Sequence, residues 1–398
     1  MAGNLRVVEI NTMVDGSTGR IMRGLAEVSE EKGIEVHTFS PMGRSQKTDY
    51  HRHHFIGTIF ERRVCELINT HTGKQGHLNI IGTMLMIRKI QKLRPKVIHL
   101  HNLYSNFLNM KMLFNYIKKN HVKVIWTFHD CWPFTGQCPY FDIVQCSKWK
   151  TECDKCPMIN QYPISKVDRS KKNFHEKKNL YSEMENVTIV TPSEWLADLT
   201  RQSFMKKHNI KVINNGIDTS GFKPVVSDFR EKYGIKNKFI ILGVSFAWGY
   251  RKGLDRFEKL AEKIDDRFII VLVGMKTSNY AKDKIITIPR TDSVSELAEI
   301  YSAADVLLNP TREDNYPTIN IEALCCGTPV LSYGAGGSAE VLTEDCGMVV
   351  NDGNVYDIMQ RLREKNFDIR KCVERGREFD QRDRFLEYVE LYENIIKD

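Results

Sequence analysis

The chain predicts an α/β protein of two domains, each built on a parallel sheet covered by helices. Three observations carry this reading. Apolar, strand-like runs alternate with helix-like segments throughout, the length of 398 residues exceeds one ordinary core, and a Gly- and Pro-punctuated stretch divides the pattern near its middle. The first series of strands is expected at Leu5 to Ile10, Glu35 to Phe39, Val97 to His101, Lys123 to Phe128 and Val187 to Thr191. A second series runs through Phe239 to Val244, Phe268 to Val273, Ile285 to Ile288, Val306 to Asn309 and Pro329 to Tyr333. The divide lies at Asn214 to Pro224, which sets the domains at 1–214 and 215–381. At the end, Phe385, Tyr388, Val389, Tyr392 and Ile395 recur at helical spacing, so this segment should dock on a core.

Composition narrows the class. With 41% hydrophobic and 27% charged residues, the chain reads as soluble and globular. Its start goes straight into a strand without the apolar core of a signal peptide, and the expectation is a cytoplasmic protein. The most apolar stretch, Ile80 to Ile90, is broken by Gly82, Arg88 and Lys89 and reads as an amphipathic helix. Charge is uneven: residues 1–250 hold 37 Lys+Arg against 22 Asp+Glu, and residues 251–398 hold 21 against 28. The basic half, with runs at Lys166 to Lys178 and Arg201 to Lys211, suits an anionic partner or a solvated lysine face. No RNA- or DNA-binding module is recognisable, so an anionic membrane surface is preferred over nucleic acid.

The chemistry concentrates between Glu313 and Pro329, E-D-N-Y-P-T-I-N-I-E-A-L-C-C-G-T-P. The pattern reads as strand, loop, short helix, strand, with Pro317 in the first helical turn and Gly327 as the left-handed residue that ends the helix. Asp314 then sits in the loop at a strand's carboxyl end, and Glu322 lies about one and a half turns into the helix. Both can face the crevice where open α/β sheets bind ligands, beside the free N–H groups around Tyr316 to Ile319, so that Asn315, Tyr316, Pro317 and Thr318 form a candidate ligand-binding stretch. Carboxylates accept hydroxyl hydrogen bonds and a helix start attracts phosphate. The plain alternative is an acid favoured by the helix dipole and a solvated glutamate.

Other loops add candidates. Arg251 and Lys252, in W-G-Y-R-K-G-L after the second series' first strand, put two cations at a helix start, where a diphosphate would bind. His129 emerges after the apolar run V-I-W-T-F, either capping the strand or reaching a ligand. Gly16 and Gly19 lie in a turn between the first strand and its helix, where backbone and ligand could approach closely. The loop G-A-G-G-S-A-E from Gly334 is a further flexible turn. Of 10 cysteines, five fall between Cys131 and Cys156. Cys138, Cys146, Cys153 and Cys156 could supply four thiolates to a structural Zn²⁺; disulfides and unlinked thiols are the other readings.

The E-D-N-x-P string with its second acid after seven residues resembles the signature of glycosyltransferase family 4, retaining nucleotide-sugar transferases of GT-B fold. Lys252-Gly253, His129-Asp130, the Gly334 to Glu340 loop and the Asn214 to Pro224 junction resemble further parts of the family pattern. The segment H-D-C-W-P-F-T-G-Q-C resembles a polysaccharide-biosynthesis subset with downstream cysteines, here an insertion over 131–157. The resemblance implies two Rossmann-like domains facing across a cleft, with the helix at 382–398 crossing back to the first. It implies Glu322 on a nucleotide ribose, Asp314 and His129 on the donor sugar, and Arg251 and Lys252 on the diphosphate of a UDP or GDP sugar. Two departures stand out. Asp314 occupies a place that is usually glutamate, and the family's upstream arginine is missing near Phe246 and Ala247, where Arg251 could compensate. No D-x-D motif occurs, so no catalytic metal is expected.

The reading is a retaining hexosyltransferase acting on a glycan or lipid-linked acceptor, in surface polysaccharide biosynthesis, at the inner face of a membrane. The alternative is a non-catalytic nucleotide-sugar-binding subunit of a transferase.

Overall fold

The computed structural model describes residues 5–43, 48–104, 106–275, 284–291, 293–364 and 367–397. The chain forms two compact units, Met1–Ile213 with Phe385–Asp398, and Asn214–Arg384. Among the described residues the first unit holds seven strands: β1 (Arg6–Ile10), β2 (Glu35–Pro41), β3 (His53–Ile56), β4 (Val97–Leu100), β5 (Lys123–Thr127), β6 (Val187–Thr191) and β7 (Asn209–Val212). They form one parallel sheet in the order β3-β2-β1-β4-β5-β6-β7. The second unit holds β8 (Phe239–Val244), β9 (Phe268–Val273), β10 (Ile285–Ile288), β11 (Val306–Asn309), β12 (Val330–Tyr333) and β13 (Gly347–Val350). Its sheet is also parallel, in the order β10-β9-β8-β11-β12-β13.

Strand periodicity explains the layers. Along β8, Phe239 and Ile241 enter one core cluster, while Ile240 and Leu242 enter the cluster on the other face. Central strands are buried on both sides, which is why they read as continuous apolar runs. Three strands are absent from the sequence reading: β3 and β7 carry no such run, and β13, G-M-V-V, is apolar but short and leaves Met348 and Val349 exposed. All three are sheet edges, and an edge strand with residues in solvent does not need a long apolar run.

Each sheet reverses its strand order once, at β1/β4 and at β8/β11. Loops leaving the two strands at such a point run to opposite faces and open a crevice at the carboxyl edge. The helix Gln381–Ile395 closes the first unit, burying Phe385, Tyr388, Val389, Leu391, Tyr392 and Ile395 against Leu5, Val7, Leu25 and Val97. The stretch Ile80 to Ile90 is helical within Ile80–Leu93, with Met86 and Ile90 inward and Ile80, Ile81 and Leu85 outward. No helix among the described residues is long and apolar enough to cross a membrane.

One expectation from charge fails at a single residue. Lys177, inside the basic run, is buried on the helix Ser170–Tyr181 rather than solvated. Its ammonium donates to the carbonyls of Trp132 at 2.6 Å and Thr135 at 2.9 Å and sits 3.3 Å from the Trp132 ring centroid. Burial lowers its pKa well below the ordinary value, and these acceptors replace only part of the lost hydration.

Candidate active site

In the second unit, the loops leaving β8, β11 and β12 converge on Asp314. The turn Tyr250–Lys252 follows β8, and Gly253 behind it adopts φ 74°. A Cβ there would lie 2.2 Å from the Pro310 carbonyl oxygen, so only glycine lets this turn rest on the chain leaving β11. The contact carries Lys252 Nζ to 2.5 Å from Asp314 Oδ2, with both side chains mostly buried. Arg251 donates to the Glu313 carbonyl at 3.0 Å and its own carbonyl accepts the Arg312 N–H at 2.8 Å. Arg312 pairs in turn with both Asp255 oxygens, at 2.7 and 2.8 Å, which holds that carboxyl below its usual range. From the other side Gly336, at φ 61°, approaches so closely that a Cβ would stand 1.9 Å from the Asp314 carbonyl oxygen. The Gly334 loop is therefore a wall of this site as well as a flexible connection.

The helix after Asp314 spans Thr318–Cys325. Pro317 is its N-cap, with φ −71° and ψ 119°, one residue ahead of the first-turn position expected for it. Extended ψ at Pro317 turns the chain out of the loop before the helix begins. Gly327 is left-handed, as expected. Asn315, Tyr316 and Pro317 are buried and Thr318 is half-buried. Asn315 gives its N–H to Asp314 Oδ1 at 3.0 Å, and the Tyr316 ring packs near Phe379 in the core, so Tyr316 can offer a ligand only its backbone. Glu322 is half-buried, and its Oε2 accepts the Tyr301 hydroxyl at 2.9 Å. Burial, with Glu322 beside it, drives the Tyr301 phenol well above its ordinary range, so it stays a donor. The start of the helix is tied down by Asn320, which accepts from Asn309 at 3.0 Å and donates to the Ser338 carbonyl at 2.7 Å.

In the first unit, His129 lies two residues beyond β5 and is half-buried. Its Nε2 meets His101 Nδ1 at 3.1 Å, and the two rings stack. Burial, and then His101, push the imidazole well below its ordinary pKa, so it is neutral. Gly16 and Gly19 lie in the first turn of the helix Gly16–Glu31. The space at Gly19 is taken by the Val14 backbone, 2.4 Å from where a Cβ would be. The closeness that requires this glycine is internal packing.

The segment from Cys131 to Cys138 is buried throughout, led by Trp132 and Phe134. Trp132 Nε1 donates to Gln75 at 2.6 Å, Gln75 donates to Gln137 at 2.7 Å, and Tyr181 donates to the Pro133 carbonyl. The stretch is thus part of the core and not a free loop. All 10 cysteines are unlinked. The Cys138 and Cys156 thiols share a hydrogen bond that holds Cys156 low and drives Cys138 well above its usual range. Cys153 Sγ accepts the Gly136 N–H at 3.3 Å, and burial pushes its thiol up to about 11. Among the described residues, the one set of three metal-type ligand atoms lying within 4.8 Å of one another is elsewhere, at Glu9, His99 and His101.

The profile of Glycosyltransferase Family 4 matches residues 18–220 of this chain. The chain belongs to glycosyltransferase family 4. The profile of Glycosyl transferases group 1 matches residues 236–364. A relative in Escherichia coli, named for colanic acid biosynthesis as glycosyl transferase WcaC, is 29% identical over 320 residues, covering 76% of this chain and 77% of its own. Sucrose-phosphate synthase from Thermosynechococcus elongatus superposes with a TM-score of 0.68 at 17% identity, over 99% of this chain and 100% of its own. HepE of Anabaena, solved with UDP and glucose, superposes with a TM-score of 0.67 at 12% identity, over 98% and 100%. The fold is GT-B, and both sheets have the parallel topology that it requires.

The two loops at the β8/β11 edge lie within the group 1 match, residues 236–364, and not within the family 4 match, which ends at 220. The Arg312–Asp255 clamp and the Asn309–Asn320–Ser338 chain escaped sequence reading because their members are dispersed. So did Glu9, His99 and His101, although a glutamate inside V-V-E-I and the period-two pair in H-L-H were visible signals. The Gly336 contact yields a direct test. Gly336→Ala should lower stability by about 1–3 kcal/mol through strain at positive φ and displacement of Asp314. Gly249→Ala, where the backbone is extended and a Cβ meets nothing, should leave the melting temperature nearly unchanged. Equal melting temperatures for the two variants would contradict the packing described.

Proposed function

We propose that this glycosyltransferase is a retaining hexosyltransferase using a nucleoside diphosphate sugar of UDP or GDP type. The observation that supports it most is the Lys252–Asp314 contact at 2.5 Å, which joins a cation and a carboxylate from different strand ends at the β8/β11 edge. A diphosphate would draw Lys252 and Arg251 to itself, and Asp314, relieved of its cation, would accept hydroxyl hydrogen bonds from the sugar. Glu322 would take the ribose hydroxyls while Tyr301 holds its other face. Backbone N–H groups at Tyr316 and Thr318 would meet the negative charge that grows on the leaving phosphate. His129 is assigned a sugar-hydroxyl contact. Retention follows the family resemblance, with the leaving phosphate helping to deprotonate the acceptor, and no D-x-D metal site takes part. The acceptor is read as a glycan or lipid-linked glycan of a surface polysaccharide, a reading supported by the name of the Escherichia coli relative.

Thermal unfolding with UDP, GDP and ADP tests the donor assignment. At about 100 times its dissociation constant the cognate nucleotide should stabilise the wild type by ~2.7 kcal/mol. The shift should vanish in Glu322→Ala, and no response to any of the three would sink the assignment.

We further propose peripheral contact with an anionic membrane through the first unit. The helix Ile59–Thr72 turns Phe60, Val64, Leu67 and Ile68 outward, Phe60 with 77% of its surface exposed, and Ile80, Ile81 and Leu85 do the same on Ile80–Leu93. The helices abut where the Asn79 N–H meets Cys65 Sγ at 3.2 Å. Exposed Arg63, Arg88, Lys89 and Lys92 flank the apolar faces, the pattern of a helix lying in a lipid interface. Co-sedimentation should occur with vesicles rich in phosphatidylglycerol, weaken with salt and be lost in the double variant Phe60→Ser, Leu67→Ser. A concentration-dependent dimer that the same variant abolishes, without vesicle binding, would instead identify a second copy as the occupant.

Cys138, Cys146, Cys153 and Cys156 are proposed as a structural zinc site. The Cys138–Cys156 contact and the backbone N–H on Cys153 suit thiolate ligands. Binding would draw the remaining sulfurs in, because no three of them lie within 4.8 Å of one another. Protein purified under reducing conditions should carry one equivalent of zinc, and metal-free protein of unchanged stability would refute the site.

A further inference from the structure

Beneath the terminal helix, seven side chains of the first unit form a polar line that ends at His129, joined by hydrogen bonds at every step but the 3.5 Å approach of Glu9 to His101. Tyr388 Oη lies 3.1 Å from Thr127 Oγ1, which lies 2.8 Å from His99 Nε2. His99 Nδ1 is 2.6 Å from Tyr392 Oη, and Tyr392 donates to Glu9 Oε1 at 3.2 Å. Glu9 Oε2 then faces His101 Nε2 at 3.5 Å, and His101 Nδ1 meets His129 Nε2 at 3.1 Å. Both nitrogens of His99 are taken by hydroxyls, so Glu9, His99 and His101 are a polar chain rather than a cation site. Every member except His129 is buried, with Glu9 and His99 at zero exposure.

Glu9 Oε2 and His101 Nε2 face each other at 3.5 Å, and neither is hydrogen-bonded in the structure. One proton between them satisfies both atoms. We infer that Glu9 is a neutral acid that keeps its proton and turns its O–H toward His101 Nε2, so that His101 and Glu9 act as positioning residues fixing His129 as its Nδ1–H tautomer. Donors and acceptors then alternate without conflict. Tyr388 O–H donates to Thr127, Thr127 to His99 Nε2, His99 Nδ1–H to Tyr392, and Tyr392 O–H to Glu9 Oε1. Glu9 Oε2–H donates to His101 Nε2, and His101 Nδ1–H to His129 Nε2. The titratable groups turned toward Glu9 are His99 within β4 and His101 just after it, Tyr392 and Tyr388 from the terminal helix, and Tyr50 before β3. None is a cation at neutral pH, and burial raises the Glu9 carboxyl well above its ordinary range. Ionising Glu9 reverses the last two bonds: His101 Nε2–H would donate to the carboxylate, His129 Nε2–H to His101, and Nδ1 would become an acceptor.

Glu9→Gln tests this, because an amide copies the protonated acid, with its N–H toward His101 and its oxygen toward Tyr392. Long-range nitrogen–proton NMR of histidine-labelled full-length protein should show the Nδ1–H tautomer at His101 and His129 in wild type and in Glu9→Gln alike. Finding Nε2–H at either residue in the wild type overturns the inference. A second readout follows from linkage. An acid whose folded pKa is raised contributes stability that declines as pH rises above its unfolded value of about 4, so wild type should lose melting temperature relative to Glu9→Gln with rising pH. A difference that stays constant between acid and alkaline pH overturns the neutral acid. These two readouts do not depend on the donor assignment. The catalytic consequence does rest on the proposed sugar contact of His129: Glu9→Gln should keep turnover within a few-fold and lose any alkaline limb due to Glu9, whereas Glu9→Leu should lose roughly tenfold or more. Loss of turnover in a folded Glu9→Gln would show that the carboxylate is required and overturn the proposal.

Discussion

Parallel pairing is the constraint on which the rest depends. A parallel strand cannot turn directly into its neighbour, so each connection crosses a face of the sheet and every carboxyl end is left on one edge. Where strand order reverses, at β1/β4 and β8/β11, adjacent loops part and side chains from distant sequence positions come together. Lys252 and Asp314 meet for that reason, 62 residues apart. Glu9, His101 and His129 meet on the other sheet for the same reason, each leaving or ending a neighbouring strand.

The two edges solve different problems. At β8/β11 the chain brings charge to a surface crevice and shapes it with backbone: Gly253 and Gly336 permit approaches to Pro310 and Asp314 that no side chain would allow. At β1/β4 it buries charge-capable groups and neutralises them with a line of hydroxyls and imidazoles. Buried polar atoms must be paired, and the terminal helix supplies two of the partners, Tyr388 and Tyr392. That helix therefore completes a polar network as well as an apolar core.

Much of the architecture was legible because central strands are buried on both faces and announce themselves as apolar runs. Edge strands β3 and β7 do not, since half of such a strand can remain polar, and β13 is apolar but only four residues long. At the site, E-D-N-Y-P and R-K-G were visible as strings because their residues are contiguous. The pairing partners Asp255, Tyr301, Asn309 and Ser338 were not, since each comes from a separate connection. Lys177 reads in sequence as one more lysine of a basic run; only the carbonyls of Trp132 and Thr135 and the indole face explain its burial.

By itself the sequence determined the strand and helix alternation, the division near residue 214, the family and the loops that carry its charged residues. Those properties depend on local periodicity and on contiguous motifs. Tertiary structure alone decided that Lys252 pairs with Asp314, that the space beside Gly19 is filled by the chain's own backbone, and that Glu9 and two histidines stand in line behind His129. The first and last of these join chain segments tens to hundreds of residues apart and exist only once sheet order brings the segments to a common edge, whereas the Gly19 contact is local, to Val14, and depends on how the first turn of the helix packs on the loop before it.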